Sequence, residues 1–151
     1  MIFSKSFGYA VRSILYIASA KNKKEFIRIE EISTTLKLPR QFLARVIKNL
    51  VKEKVLISSK GPIGGVGITS EGMQTTLFRI LELTDGNRLN QCVLKSKDCN
   101  TTNPCPVHER FSTARKEMSD ILTNTTIASL IKGEHKQFIQ SLLETNGAQK
   151  K

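Results

Sequence analysis

Apolar residues recur at three- and four-residue steps near the start of the chain. Phe7, Ala10, Val11, Ile14, Leu15 and Ala18 form one stripe, which predicts an amphipathic helix from about Ser4 to Ala20. Lys21-Asn22-Lys23-Lys24 ends it in a polar turn, and Phe26-Ile27-Arg28-Ile29 reads as a short extended segment. Ile29, Ile32 and Leu36 then predict a second helix, from about Ile29 to Leu36, with Lys37-Leu38 as the turn after it. Pro39 suits the first position of a third helix, where its missing N–H has no intrahelical partner to lose. That helix runs to about Glu53. At about 100° per residue, Phe42, Leu43, Val46, Ile47, Leu50 and Val51 fill one half of it. Gln41, Arg45, Lys48 and Lys52 fall on the other half.

The period then changes. Val55-Leu56-Ile57-Ser58-Ser59 and Val66-Gly67-Ile68-Thr69 read as two short strands, joined by Lys60-Gly61-Pro62-Ile63-Gly64-Gly65. Glycine and proline supply the dihedrals of a hairpin connection. The glycines do not form a phosphate-binding loop, since their spacing fits neither GxGxxG nor GxxxxGK[ST]. Leu77, Phe78, Ile80 and Leu81 predict a helix from about Thr75 to Thr84, closed by Asp85-Gly86. Further on, Val107, Phe111, Ala114, Met118, Ile121 and Thr125 alternate steps of four and three on a long helix from about Val107 to Asn124. Such a seam suits either packing within the domain or a dimer interface. Thr126 to Ile131 continues as a short helix with Gly133 as its cap, and Phe138, Ile139, Leu142 and Leu143 suggest a last amphipathic turn or two. The final six residues read as a frayed end, and His135 as a surface residue.

Charge gives the first three helices a direction. Residues 1–60 carry 13 Lys/Arg against 4 Asp/Glu, whereas residues 61–151 carry 11 against 9. The basic half is the footprint expected of a polyanion binder. A short helix, a tight turn and a longer basic helix match a helix-turn-helix, in which the second helix enters the major groove of double-stranded DNA N-terminus first. Arg40, Gln41, Ala44 and Arg45 then face DNA. Taken alone, the basic helix face is more simply a solvated surface. A basic-tipped hairpin directly after it gives the order of a winged helix-turn-helix and tips the reading towards DNA, with Lys60 reaching phosphates or the minor groove. No apolar run approaches the roughly 20 residues needed to cross a membrane, and the N-terminus lacks the pattern of a signal peptide, so a cytoplasmic protein is expected.

The remaining chemistry lies between Cys92 and His108. All three cysteines and one of the two histidines fall there, spaced C-x6-C-x5-C-x2-H. Thiols are kept reduced in the cytoplasm and an odd number cannot all pair internally, so ligation is the more natural use. Thiolate and imidazole suit zinc and iron–sulfur clusters alike. The gaps are wider than the knuckles usual for structural zinc. Lys95 and Lys97 are placed to balance the negative charge of thiolates and cluster. From the residues alone a cluster and zinc stand nearly level, with unligated redox-active thiols a third reading. Catalysis has little support: a Cys105–His108 hydrolase would lack an evident third residue and oxyanion hole, so no enzyme and no small-molecule substrate are expected.

Four segments resemble the Rrf-two family of winged helix-turn-helix regulators, of the IscR/NsrR-like kind. They are Lys5-Ser6-Phe7-Gly8-Tyr9-Ala10-Val11, Leu38-Pro39-Arg40-Gln41-Phe42-Leu43, the wing from Leu56 to Gly65, and the three cysteines with their C-x2-H ending. The resemblance covers about residues 1 to 133. It implies a homodimer with a 2Fe–2S cluster in each subunit and DNA binding that follows cluster state. It implies the ligands Cys92, Cys99, Cys105 and His108; Gly8 and Arg12 cannot serve as the N-terminal ligands used by some members. The first cysteine gap is one residue longer than in the IscR pattern. Ala44 stands where that branch has an acidic residue that discriminates between DNA sites.

The expected protein is therefore mainly α with a small β-hairpin wing. Residues 1–86 form a winged helix-turn-helix domain, 87–108 a cysteine-rich loop, and 109–151 a dimerisation helix and tail. Lys5, Arg40, Gln41, Arg45, Lys48 and Lys60 are the expected DNA contacts. Val107, Phe111, Ala114, Met118 and Ile121 are the expected dimer contacts.

Overall fold

The computed structural model describes residues 2–94, 97–134 and 136–144. Lys95, His135 and the terminal Asn-Gly-Ala-Gln-Lys-Lys lie outside them. Helix α1 spans Lys5–Ala20, and the Ser4 hydroxyl caps it by accepting from the Phe7 N–H. Its stripe is the middle of the core, with Ala10, Ile14, Leu15 and Ile17 essentially excluded from solvent. Helix α2 (Ile29–Leu36) ends at Lys37, whose left-handed φ of 52° makes the tight turn. Leu38 then donates its N–H to the Ser33 carbonyl, and the Ser33 hydroxyl donates to the Leu38 carbonyl. Helix α3 spans Arg40–Lys52. Pro39 caps it from an extended conformation rather than forming its first residue, and the Pro39 carbonyl accepts from the Leu43 N–H.

The wing strands β1 (Ile57–Ser59) and β2 (Gly65–Gly67) are antiparallel, with Ser58 opposite Val66. They are shorter than the apolar pattern suggests. Val55 and Leu56 turn inward instead, both donating their N–H groups to the Leu50 carbonyl, and are buried. The extended segment before α2 adds a third rung. Ile27 and Val66 exchange backbone hydrogen bonds of 2.9 and 2.8 Å. This crossing requires glycine at position 65, since a Cβ there would stand 2.4 Å from the Ile27 carbonyl oxygen.

Helices α4 (Leu77–Asp85), α5 (His108–Thr123), α6 (Ile127–Lys132) and α7 (Lys136–Leu143) complete the chain. Two short 3-10 turns, Gly72–Gln74 and Arg88–Asn90, lie where periodicity gives no signal. The starts of α4 and α6 are sewn together: Leu77 donates to the Thr125 carbonyl and Ile127 to the Thr75 carbonyl. Helices α6 and α7 thereby return to α1, and Leu122, Ile127 and Ile139 join the same core as α1, α2 and α3. Helix α5 is different. Only Leu122 of it is buried, while Phe111 and Ile121 remain 42% and 65% exposed. No helix among the described residues is long and apolar enough to cross a membrane.

Candidate nucleic-acid interface and cysteine loop

Leu43, Ile47 and Leu50 anchor α3 in the core. The helical period then turns Gln41, Arg45 and Lys48 outward, and all three are exposed, as is Arg40. Arg40, Gln41 and Ala44 form one wall of an open groove of about 450 Å³. Ser59, Gly61, Gly64 and Gly65 of the wing form the other, with Arg28 and Glu30 between them. Arg45 opens on a second groove, with Ser6 at the start of α1. Lys5 is the exposed first residue of α1, and Lys60 is exposed on the wing. Lys48 lines neither groove but lies on the same outward arc of α3.

Four polar contacts at this surface are not visible in the sequence pattern. Arg40 is ion-paired to Glu30 at the start of α2. The Glu30 carboxyl is held below its ordinary range by its own backbone N–H and then by Arg40. Arg28 donates from Nη2 to the Pro62 carbonyl at 2.8 Å, tying the wing loop to the segment before α2. Lys24 bonds Glu31 at 2.9 Å, and Tyr16 donates its hydroxyl to the same carboxylate at 3.1 Å. The Glu31 carboxyl is accordingly lowered, first by Lys24.

The cysteine loop hangs from the end of α4. Gln91 and Asp98 form an antiparallel bridge, with the Cys92 N–H donating to the Lys97 carbonyl and the Cys99 N–H to the Asn90 carbonyl. Side chains alternate across such a bridge, which places residues 92 and 99 on one face. The His108 N–H donates to the Cys105 carbonyl as α5 begins, so this turn carries both C-x2-H residues. Cys99 Sγ lies 3.0 Å from His108 Nδ1. Arg115 of α5 donates to the Gln91 carbonyl at 3.1 Å and holds the loop against that helix. All three cysteines are half-buried. Among the described residues no three Cys, His, Asp or Glu side chains converge as a metal site. The structure thus brings together Cys99 and His108, and does not bring Cys92 and Cys105 onto them. In donor chemistry the loop suits a thiophilic metal or cluster: three thiols and an imidazole lie close in sequence, on the Gln91–Asp98 bridge and on the turn that opens α5.

The reader has a basic helix beside a tethered wing, and its sequence matches the Rrf2 family model, described as an iron-dependent transcriptional regulator, over residues 3–133. The chain belongs to the Rrf2 family. It is 36% identical over 139 residues to a chain of Aquifex aeolicus named for an HTH-type transcriptional regulator, covering 90% of this chain and 95% of that one. It is 24% identical over 136 residues to the HTH-type transcriptional regulator NsrR of Oceanobacillus iheyensis, covering 89% and 92%. Among solved structures, CymR, the global cysteine regulator of B. subtilis, superposes with a TM-score of 0.69 at 18% identity, covering 85% of this chain and 94% of that one. The IscR of T. potens superposes with a TM-score of 0.65 at 19% identity, covering 85% of each. These likenesses establish the winged-helix Rrf2 fold. This Rrf2 protein is a DNA-binding transcriptional regulator rather than an enzyme.

Proposed function

We propose that this Rrf2 protein binds DNA as a homodimer and that a 2Fe–2S cluster held by Cys92, Cys99, Cys105 and His108 sets how it binds. The observation that carries the reading is the Cys99–His108 contact of 3.0 Å, in a loop pinned to the first turns of α5. A bound cluster would supply a redox-active centre sensitive to nitric oxide and to iron–sulfur status. The chain's own residues do the rest. Arg40, Gln41 and Arg45 read or flank bases in the major groove, while Lys5, Lys48 and Lys60 hold phosphates. Val107 just before α5, and Phe111, Ala114, Met118 and Ile121 on it, meet a second copy, so that two readers span two half-sites. Because the loop packs on α5, a change in its ligation shifts the spacing at which the two readers are presented.

A second reading is a thiol sensor without a cluster, favoured by the same thiol–imidazole pair and by the likeness of fold to CymR. Zinc in the same loop is the third. Purification without oxygen separates them. The cluster reading expects red-brown protein containing iron and sulfide, with both lost in Cys99→Ala. Colourless protein with one zinc per chain, or protein without metal whose cysteines oxidise reversibly, overturns it. Selection of duplexes by loaded and stripped protein then tests whether ligation governs DNA binding.

A further inference from the structure

Glu30 is an acidic residue on a surface otherwise suited to a polyanion. It is the second residue of α2 and borders the groove of about 450 Å³ between α3 and the wing. Among the described residues that line this groove it is the one carboxylate, beside Arg28 and Arg40. Both arginines are engaged there. Arg28 donates to the Pro62 carbonyl at 2.8 Å, and Arg40 Nη2 donates to Glu30 Oε1. Arg40 and Glu30 are both exposed, so their pair adds little to the stability of the fold. Its effect is on direction. A guanidinium held by a carboxylate of the neighbouring helix keeps its remaining donors on one bearing. Ala44, one turn further along α3 on the same groove, offers no acceptor to draw Arg40 away.

The start of α2 does not by itself call for this charge. Arg28 stands at its N-cap without a side-chain cap bond, and the Glu30 carboxyl accepts its own backbone N–H. An amide oxygen could accept that bond equally well. The negative charge favoured at a helix start is also supplied by Glu31. What glutamate adds at position 30 is a hold on Arg40, and a local charge that disfavours phosphates in the groove.

We infer that Glu30 is a specificity-determining residue of DNA recognition: by holding Arg40 it turns the free donors of that guanidinium to the edge of a guanine and keeps them off the phosphates. This rests on the reading of α3 as the major-groove helix. Guanine offers two acceptors there, O6 and N7, which match the planar fork of arginine. The pair is neutral as a unit, so its binding releases no counterion, whereas Arg40 freed from Glu30 and moved to a phosphate does release one. Glu30 therefore lowers affinity for duplexes in general and sharpens the preference for one base pair.

The test uses the full chain, a duplex that it selects from a random-sequence pool, and an unrelated duplex, with both affinities followed by fluorescence anisotropy across salt concentrations. Arg40→Ala should lower the ratio of the two affinities by about tenfold, through the selected duplex, and leave the log–log salt slope unchanged. Arg40→Lys should not restore the ratio, because an ammonium lacks the fork. Glu30→Gln should lower the ratio by about tenfold from the other side, by tightening binding to the unrelated duplex, and should steepen the slope by about 1. With Arg40→Ala already present, Glu30→Gln should do neither. Single 7-deazaguanine replacements in the selected duplex, which remove N7, should find a position that weakens the wild type and not Arg40→Ala. A Glu30→Gln ratio within about twofold of the wild type, with the slope unaltered, overturns the inference alone. So does an equal effect of Glu30→Gln in the Arg40→Ala background, which would make Glu30 act without Arg40, and so does the absence of any such guanine. A wild-type chain that binds all duplexes alike overturns the reading of α3, and this inference with it.

Discussion

Asp85 joins two ends of the reader. Its carboxylate accepts the Ser4 N–H at 2.8 Å and also the Ser4 hydroxyl, while that hydroxyl oxygen accepts from Phe7 at the start of α1. Partial burial pushes the Asp85 carboxyl up, but the bonds from Ser4 outweigh it, and the net position is below the ordinary carboxylate range. A depressed folded-state value means that Asp85 stabilises the fold above the unfolded-state pKa, near 3.9. That contribution is lost as pH falls through the lower folded-state value. Asp85→Asn should cost about 1–2 kcal/mol at neutral pH and flatten the acid limb of a denaturation curve measured against pH. A variant as stable as wild type at neutral pH would remove Asp85 from this role. The pair is 81 residues apart in the chain, and periodicity carries no information at that range, so Ser4 is legible as a cap but its partner is not. Lys37 is the opposite case: the turn is legible, its left-handed backbone only in the structure. A non-glycine residue there stores about 1 kcal/mol, so Lys37→Gly should raise the unfolding free energy in urea by roughly that amount.

Helices were the most readable elements, because most of them bury a single stripe and the stripe fixes the period. The bounds of α2 agree with the pattern at both ends, and α1, α3, α4 and α6 differ by a residue or two. The strands were less readable, since Val55 and Leu56 are apolar for the core rather than for the hairpin. In α5 the neighbouring residues Ile121 and Leu122 divide two duties. Leu122 enters the core with Met118 packed against it, while Phe111 and Ile121 stay outside. For that stripe as a dimer seam, Phe111→Asp should convert a dimer to a monomer in sedimentation equilibrium while leaving the thermal unfolding of the monomer core within a few degrees. It should also weaken binding to a duplex with two half-sites far more than to one with a single half-site, because only the former depends on linkage. An unchanged mass would assign the seam elsewhere.

At the scale of the whole molecule, the charge gradient along the chain becomes a gradient in space. Most of the expected phosphate contacts lie on α1, α3 and the wing, so affinity for any duplex should fall steeply with salt. Lys60→Ala should weaken binding to unrelated duplexes alike and lower the log–log salt slope by about 1, measured by fluorescence anisotropy at several salt concentrations. Loss on one sequence only would make Lys60 a base reader. The cysteine loop was legible as a set of donors but not as a site. Spacing identifies which atoms can ligate, whereas their convergence is commonly completed by the group they bind. Cys99 and His108 already stand in contact, while among the described residues no three such donors converge. The paired threonines at the base of α4 and α6 have a further consequence. Those two hydrogen bonds hold α6 against the start of α4, whose Ile80 and Leu81 stay in the core, so the excursion runs from the end of α4 to the end of α5, where Leu122 returns to the core. Residues can be gained, lost or exchanged along that excursion without moving α1 or α3. The cysteine loop and the helices that carry the wing can therefore diversify separately, each keeping its register with the other through the joint between α4 and α6.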